Sequence, residues 1–143
     1  MSIKKTIKLV GTDIDGVWTD ARMYYSAAGD IMKSFSTYDG MGVELLKQAN
    51  IPLIIMTSEN TEIVLKRAEK LGVTHIYQGE DQKLGRLKKV CNELGIALDE
   101  VAFIGDDVND LDVLRSVGLS AMPPNSPILN QFSPDYLTSR PGG

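Results

Sequence analysis

Two carboxylates separated by one residue, Asp13 and Asp15, directly follow the apolar run at residues 7–12. Because side chains alternate faces along a strand, carboxylates at positions i and i+2 leave the end of that strand on the same side. Such a pair suffers charge repulsion and loss of hydration, so it suits a site where a metal or another cation offsets the charge. Gly16 then allows a sharp turn or a close approach to a ligand. Taken alone, the motif also fits a solvated acidic turn. The choice between a functional site and a turn depends on the other motifs of the chain.

The apolar runs alternate with stretches of helical periodicity, which predicts a doubly wound α/β fold with a parallel sheet and helices on both faces. Residues 53–56 are apolar at successive positions, as expected for a strand buried on both faces. The predicted strands cover residues 7–12, 51–57, 74–78, 101–105 and 118–122, with a last possible strand at 135–138. The predicted helices cover residues 42–49, 61–71, 84–94 and 110–117.

Residues 23–35 break this alternation. They contain two short strand-like stretches around Gly29-Asp30, which predicts a β-hairpin with its turn at that pair. The hairpin is inserted between the first strand and the first helix, hence at the carboxyl edge of the sheet, where ligands bind in this architecture. It therefore either covers its own site or pairs with a neighbouring subunit.

Length and composition indicate one globular domain covering residues 1–143, with 43% hydrophobic and 24% charged residues. The net charge of −4, without a cluster of Lys and Arg, argues against nucleic acid as a partner. No apolar run has the length of a signal peptide or a membrane span, so no membrane partner is expected. The single cysteine, Cys91, excludes an internal disulfide, and we expect a cytoplasmic protein.

Polar residues also follow the later predicted strands. Each has an ordinary explanation when taken alone: Thr57-Ser58 as a helix N-cap, Lys83 as a surface lysine, and Asp106-Asp107 as a capped turn. Because the carboxyl ends of parallel strands share one edge of the sheet, these side chains are expected to converge on the acidic pair. Carboxylates are the ligands that Mg²⁺ prefers, while a hydroxyl and an ammonium group suit a phosphoryl group.

The same set suits covalent catalysis by a carboxylate. A metal and Lys83 would keep Asp13 ionised, so that it could attack a phosphate. Asp15 could protonate the leaving oxygen and later deprotonate water, a role that needs the higher effective pKa of the two.

The order of these residues resembles the four signature motifs of the haloacid dehalogenase superfamily of phosphatases. The matching stretches are residues 13–17, Thr57, Lys83 and residues 105–110. Receiver domains of response regulators use similar residues, but their lysine follows the acidic pair, whereas Lys83 precedes Asp106. The receiver interpretation fails on this order.

Residues 15–20, the hairpin, residues 36–40 and residues 67–72 resemble the small phosphatases of sugar-acid biosynthesis that lack a cap domain. The resemblance implies a Rossmann-like fold and hydrolysis of either 3-deoxy-manno-octulosonate 8-phosphate or the nine-carbon 2-keto-3-deoxy-nononate 9-phosphate. It also implies a Mg²⁺-dependent homotetramer whose hairpins associate, so that one subunit helps to cover the active site of the next.

The resemblance further implies a role for each matching residue. Asp13 is the nucleophile and Asp15 the acid and base; Asp13, Asp106 and the backbone carbonyl of Asp15 hold Mg²⁺. Thr57 and Lys83 bind the phosphoryl group. Asp107 and Asp110 hold these residues in position without binding the metal or the substrate themselves. The implied substrate contacts are Ser36, Thr37, Tyr38, Asp39, Gly40, Ser58, Glu59, Arg67 and Lys70.

Two departures from the octulosonate phosphatases bear on the substrate, and one of them is Tyr38, where those enzymes usually carry an arginine before the Asp of residues 36–40. Those enzymes usually carry Thr-Gly-Arg where this chain has Thr57-Ser58-Glu59, and an arginine suits a substrate carboxylate better than Glu59 does. The set Glu59, Arg67 and Lys70 instead resembles the nononate phosphatases, although Glu59 could equally be a first-turn residue that favours the helix dipole. We therefore favour the nine-carbon substrate, with the eight-carbon substrate next. The family also continues beyond a Gly-Gly pair into a Gly-rich tail and a helix, whereas the given sequence stops at Gly143, so such a tail is either cut off or disordered.

A non-catalytic oligomerisation module is the alternative, because relatives of this fold are fused to cytidylyltransferases that activate sialic acids. Some of those relatives have lost the catalytic aspartates, whereas Asp13, Asp15, Lys83 and Asp106 are all present here. The sequence therefore favours an enzyme.

Overall fold

The computed structural model describes residues 6–143, which are built around a six-stranded parallel sheet. The strands are β1 (Leu9–Thr12), β2 (Tyr24–Ser26), β3 (Gly29–Met32), β4 (Leu53–Met56), β5 (His75–Tyr77), β6 (Val101–Ile104), β7 (Leu119–Met122) and β8 (Tyr136–Leu137). The sheet order is β5-β4-β1-β6-β7-β8, and each neighbouring pair is parallel. The chain winds outward from β1 in both directions, which confirms the doubly wound prediction.

Within residues 6–143, four α-helices connect the strands. They are α1 (Thr37–Gln48), α2 (Glu62–Leu71), α3 (Lys83–Leu94) and α4 (Leu111–Ser116), with short 3-10 turns at Leu98–Glu100 and Val108–Asp110. The predicted helix at 110–117 is thus a 3-10 turn followed by a shorter α-helix. No helix among residues 6–143 is long and apolar enough to cross a membrane. The described residues include no cap domain, as predicted.

The two faces of β4 explain why its sequence is apolar at every position. Leu53 and Ile55 pack in a cluster with residues of α1 and α2, whereas Ile54 and Met56 pack on the opposite face with residues of α3 and α4. All four side chains are buried, and each contributes on the order of 1.5–3 kcal/mol by leaving water. This two-sided core holds the central strands, and therefore their carboxyl ends, in fixed positions.

The predicted start of the first helix at residue 42 is wrong, because α1 already begins at Thr37. Ser36 has an extended backbone, and its hydroxyl accepts a hydrogen bond from the Tyr38 N–H at 3.2 Å. An N-cap of this kind satisfies a backbone donor that the first turn leaves free. The poor helix formers Gly40 and Gly42 masked this start in the sequence.

The hairpin forms a separate antiparallel pair, β2 with β3, but its turn is not at Gly29-Asp30. The turn residues are Ala27 and Ala28, and the Ala28 N–H donates to the hydroxyl of Ser26 at 3.1 Å. Gly29, with a φ of +110°, and Asp30 belong to β3 instead. The short polar bond from Ser26 stabilises a turn that residue types alone did not indicate.

Candidate active site

The acidic pair lies in a tight turn at the carboxyl end of β1. The carbonyl of Ile14 accepts hydrogen bonds from the backbone N–H groups of Val17, Trp18 and Thr19. Gly16 occupies this turn with a φ of +89°, and a Cβ there would collide with the carboxylate of Asp106. A glycine is therefore needed for two reasons: the backbone conformation and the approach of Asp106 to the loop.

Lys83 is the first residue of α3 and is buried next to Asp13, not on the surface. Its Nζ lies 2.8 Å from Asp110 Oδ1 and 3.2 Å from Asp13 Oδ1. Burial lowers the pKa of Lys83, but the charges of Asp13 and Asp110 outweigh burial and raise that pKa above its usual value. Lys83 therefore stays an ammonium ion.

Asp106 and Asp13 are both buried, at 7% and 5% exposure. Burial, followed by the charges of Asp110 and Asp107, raises the pKa of Asp106 to about 7. Burial and the Asp110 charge raise the pKa of Asp13 as well, against the opposing effect of Lys83. The site thus concentrates more negative charge than one lysine neutralises.

The donor set fits a divalent cation. Ligand oxygens of Asp13, Asp106 and Asp110 lie within 4.8 Å of one another. Asp106 Oδ1 is buried and has no hydrogen-bond partner among residues 6–143, a costly arrangement that a cation would relieve. Both oxygens of Asp110 already accept hydrogen bonds, from Lys83 and from the N–H groups of Asp106 and Asp107. Asp110 is therefore better placed to support the cluster than to bind a metal.

Asp107 has a different place from its neighbour Asp106. It is exposed, and its carboxylate accepts from the Val108 N–H at 2.7 Å as the cap of the 3-10 turn. The carboxylate of Asp15 is not a member of the cluster that Asp13, Asp106 and Asp110 form among residues 6–143.

Asp15 has a partner that the sequence analysis missed. Lys33, which follows β3, places its Nζ 2.8 Å from Asp15 Oδ1 and 3.2 Å from Asp30 Oδ2. Periodicity could not reveal this contact, because it joins two residues 18 positions apart and depends on the path of the chain between them. The pairing of Asp30 with Lys33 three residues later was the only local signal.

Thr57 and Ser58 do not cap α2, because Thr61 is its N-cap. Thr57 is buried at the end of β4, and the Ser58 hydroxyl accepts from Asn109 Nδ2 at 2.9 Å. Asn109 therefore links the loop after β4 to the loop after β6. It lies within the acidic motif at 105–110, but the sequence analysis gave it no role.

The predicted substrate contacts fall into two groups: residues that lie near Arg67 and residues that are exposed. Arg67 reaches residues 36–40: its Nη2 donates to the carbonyl of Ser36 at 3.1 Å, and its charge opposes the effect of burial, which raises the pKa of Asp39. Gly40 lies beside the Arg67 guanidinium, whereas Thr37 and Tyr38 are exposed. Glu59 and Lys70 are exposed too, and Glu59 precedes the N-cap of α2, so it is not a first-turn residue.

Comparison with known proteins defines the class. A family profile described as a haloacid dehalogenase-like hydrolase matches residues 37–118. The 3-deoxy-D-manno-octulosonate 8-phosphate phosphatase KdsC of Escherichia coli (strain B / BL21-DE3) is 34% identical over 143 residues, covering 100% of this chain and 76% of that protein. The chain therefore belongs to the haloacid dehalogenase-like hydrolases. It is a phosphoric monoester hydrolase, as predicted.

Solved structures agree with this assignment. The cobalt-bound deoxy-D-mannose-octulosonate 8-phosphate phosphatase (YrbI) of Haemophilus influenzae is 32% identical with a TM-score of 0.91, over 96% of this chain and 81% of that one. The 3-deoxy-D-manno-octulosonate 8-phosphate phosphatase of Moraxella catarrhalis, in complex with magnesium, phosphate and KDO, is 39% identical with a TM-score of 0.90, over 96% of this chain and 79% of that one. The predicted resemblance to capless sugar-acid phosphatases is confirmed.

Proposed function

We propose that this enzyme hydrolyses the phosphomonoester of a 2-keto-3-deoxy sugar acid through a phosphorylated Asp13. The observation that carries the proposal is the burial of Asp13 beside Lys83, with Nζ 3.2 Å from Oδ1 and Asp106 in the same cluster. A nucleophilic carboxylate has to approach an anionic phosphate, and adjacent positive charge reduces that repulsion.

In the first half-reaction Asp13 attacks phosphorus. Its Oδ1 contacts Lys83 and accepts from the Ile14 N–H at 2.7 Å, which leaves Oδ2 to form the new bond. As the Oδ2–phosphorus bond forms, the bond from phosphorus to the sugar oxygen breaks. Asp15 transfers its proton to that oxygen, and the sugar acid leaves as an alcohol.

In the second half-reaction water attacks the phosphorylated Asp13. The carboxylate of Asp15 accepts a proton from this water as its oxygen bonds to phosphorus. The phosphorus–Asp13 bond breaks, inorganic phosphate leaves, and Asp15 is protonated again. Thr57 and Lys83 bind the phosphoryl oxygens, and Asp107 and Asp110 hold the loop after β6.

We propose Mg²⁺ as the cofactor, held by Asp13, Asp106 and the backbone carbonyl of Asp15. When bound, the cation would offset the charge of the carboxylates and of the transferring phosphoryl group. The buried and unpartnered Asp106 Oδ1 supports this assignment, as does the magnesium in the structure of the Moraxella catarrhalis relative.

For the sugar acid we favour the nine-carbon 2-keto-3-deoxy-nononate 9-phosphate, with the eight-carbon 3-deoxy-manno-octulosonate 8-phosphate next. The names of the E. coli and M. catarrhalis relatives support the octulosonate compound. Glu59 supports the longer substrate, because an exposed carboxylate at this position disfavours the acid end that an arginine would bind. A longer sugar can instead present hydroxyl groups to it.

The deciding experiment compares kcat/KM for the two phosphates in the wild type and in Glu59→Arg. We expect the wild type to prefer the nine-carbon substrate and Glu59→Arg to shift the ratio toward the eight-carbon one. Equal ratios in both proteins would exclude Glu59 as the residue that selects the substrate.

The mechanism is tested by replacing the nucleophile. Asp13→Asn should abolish Mg²⁺-dependent phosphate release while leaving the circular dichroism spectrum unchanged, and retained turnover would refute the mechanism.

We further propose a homotetramer that assembles through the hairpin. The proposal is supported by a group of apolar hairpin side chains that are between 37% and 63% exposed, an unusual number of exposed apolar side chains for one short hairpin. These hairpin residues are Met23, Tyr24, Tyr25, Ile31 and Met32.

The alternative of a non-catalytic oligomerisation module is not favoured, because the catalytic aspartates and Lys83 are retained.

A further inference from the structure

Lys33 is a buried lysine without a role in the reaction described above. Its side chain is 0% exposed, and its ammonium group bridges Asp15 Oδ1 at 2.8 Å and Asp30 Oδ2 at 3.2 Å. Burying a long cationic side chain costs several kcal/mol in solvation, which good geometry to two carboxylates can offset. The ion pair joins the hairpin directly to one of the two aspartates at the end of β1.

We propose that Lys33 is a positioning residue for Asp15: it holds Oδ1 so that Oδ2 is the oxygen that exchanges the proton with the leaving group. This inference rests on the proposed function, in which Asp15 is the acid and base. Lys33 itself contacts neither phosphate nor sugar in this scheme.

The two oxygens of Asp15 have different surroundings, and this difference carries the argument. Oδ1 accepts from Lys33, whereas Oδ2 is buried and has no hydrogen-bond partner in the part of the chain that the structure describes. An ammonium group can only donate, so the oxygen it contacts is the poorer place for a proton. Proton transfer also requires the acid to lie within hydrogen-bond reach of the leaving oxygen, so a freely rotating carboxyl would be a weaker catalyst.

Asp30 completes the arrangement by fixing the lysine. It offers Oδ2 to Lys33 from within β3, three residues earlier in the chain, so the ammonium group is held from two sides. Asp30 should therefore affect the reaction in the same direction as Lys33, but less strongly, because Lys33 would keep its contact with Asp15.

The alternative is that Lys33 only anchors the hairpin. The two roles differ in their dependence on the leaving group. A sugar alkoxide needs a proton as it departs, whereas p-nitrophenolate leaves as a stable anion and needs little help. Loss of a positioned acid therefore slows the first half-reaction selectively for the sugar phosphate, whereas a general structural defect slows that step alike for both substrates.

The experiment measures kcat/KM of the Mg²⁺-loaded enzyme for a sugar-acid phosphate and for p-nitrophenyl phosphate. This parameter covers the steps up to loss of the leaving group, whereas kcat also includes hydrolysis of phosphorylated Asp13, in which Asp15 acts as the base for both substrates. The variants are Lys33→Met, Asp30→Asn and Asp15→Asn, with Lys8→Met as the matched control. Lys8 also forms an ion pair, 2.8 Å from Glu100, but it precedes β1 at the opposite edge of the sheet. We expect Lys33→Met to lower kcat/KM for the sugar phosphate by at least about 30-fold and that for p-nitrophenyl phosphate by less than about 3-fold. Lys8→Met should change neither.

A double variant tests whether Lys33 acts through Asp15. Once Asp15→Asn has removed the acid, adding Lys33→Met should cause no further selective loss. Equal losses for both substrates, no loss, or additive losses in the double variant would each overturn the proposal. If Lys33→Met does not fold, Lys33→Arg and Asp30→Asn are compared by the same ratio. Failure of the proposed function is separate, because the wild type would then hydrolyse neither substrate or Asp13→Asn would stay active.

Discussion

Lys83 and Asp110 form a buried ion pair, with Nζ 2.8 Å from Oδ1 and side-chain exposures of 1% and 0%. The other oxygen of Asp110 accepts from the N–H groups of Asp106 and Asp107 at 3.0 and 3.3 Å. One carboxylate thus fixes both the ammonium group beside Asp13 and the loop that carries Asp106.

Replacing Asp110 with alanine should therefore destabilise the whole edge of the sheet. The change removes one counter-charge of Lys83 and takes an acceptor from the buried N–H of Asp106 and the partly buried N–H of Asp107. We therefore expect a loss of roughly 3 kcal/mol in the free energy of unfolding. Urea unfolding measures this loss. Asp112→Ala, at an exposed position of α4, is the control and should cost less than about 1 kcal/mol. Similar losses in both variants would contradict the assignment.

The raised pKa of Asp106 indicates how the stability of the metal-free protein should depend on pH. Its pKa is raised to about 7 in the folded protein from an ordinary value of 3.8. Between these values the folded state keeps a proton that the unfolded state has lost, so stability falls as the pH rises from about 4 to about 7. Urea unfolding in EDTA at pH 5 and pH 7.5 should show this fall, and Asp106→Asn should make it shallower. Asp13, whose pKa is also raised, acts in the same direction.

Addition of Mg²⁺ should reverse the fall in stability that accompanies the rise in pH. A cation competes with protons for the carboxylates, so it should raise the melting temperature more at pH 7.5 than at pH 5. The same comparison with Asp106→Asn is the control, because loss of a ligand should remove most of the increase. An equal increase at both pH values would argue against cation binding at Asp106.

The convergence of Asp13, Lys83 and Asp106 was predictable, because parallel strands end at one edge of a sheet whatever the details of their helices. The strands themselves were predictable from runs such as residues 53–56, whose burial on both faces leaves no polar position. Here the periodic pattern and the topology point to the same answer.

Other features depend on contacts that periodicity does not encode. The start of α1 is determined by one hydrogen bond to Ser36, and the hairpin turn by one to Ser26. Lys33 lies between residues of an exposed hairpin, and only the fold brings its ammonium group to Asp15. Such residues are missed because a single charged side chain beside a short strand is usually solvated.

Gly16 and Gly42 offer a direct comparison of two glycines. Alanine at Gly16 would need an unfavourable φ of +89° and would displace the Asp106 carboxylate, so we expect at least about a 10²-fold loss of kcat and a lower melting temperature. Alanine at Gly42, inside α1, meets no atom within 4 Å and should stabilise the protein by about 0.5–1 kcal/mol. Phosphate-release assays and urea unfolding measure both effects. Full activity in Gly16→Ala would show that Asp106 need not approach this loop.

The exposed hairpin predicts that assembly can be disrupted without altering the core. Tyr25 and Ile31 are 63% and 57% exposed, and burying them between subunits would supply part of the association energy. The double variant Tyr25→Glu with Ile31→Lys should therefore sediment as a smaller species than the wild type, with an unchanged circular dichroism spectrum. Leu94→Glu, at a 41% exposed position at the end of α3, is the control and should keep the wild-type assembly. A monomeric wild type, or a hairpin variant that sediments like the wild type, would refute assembly through this hairpin.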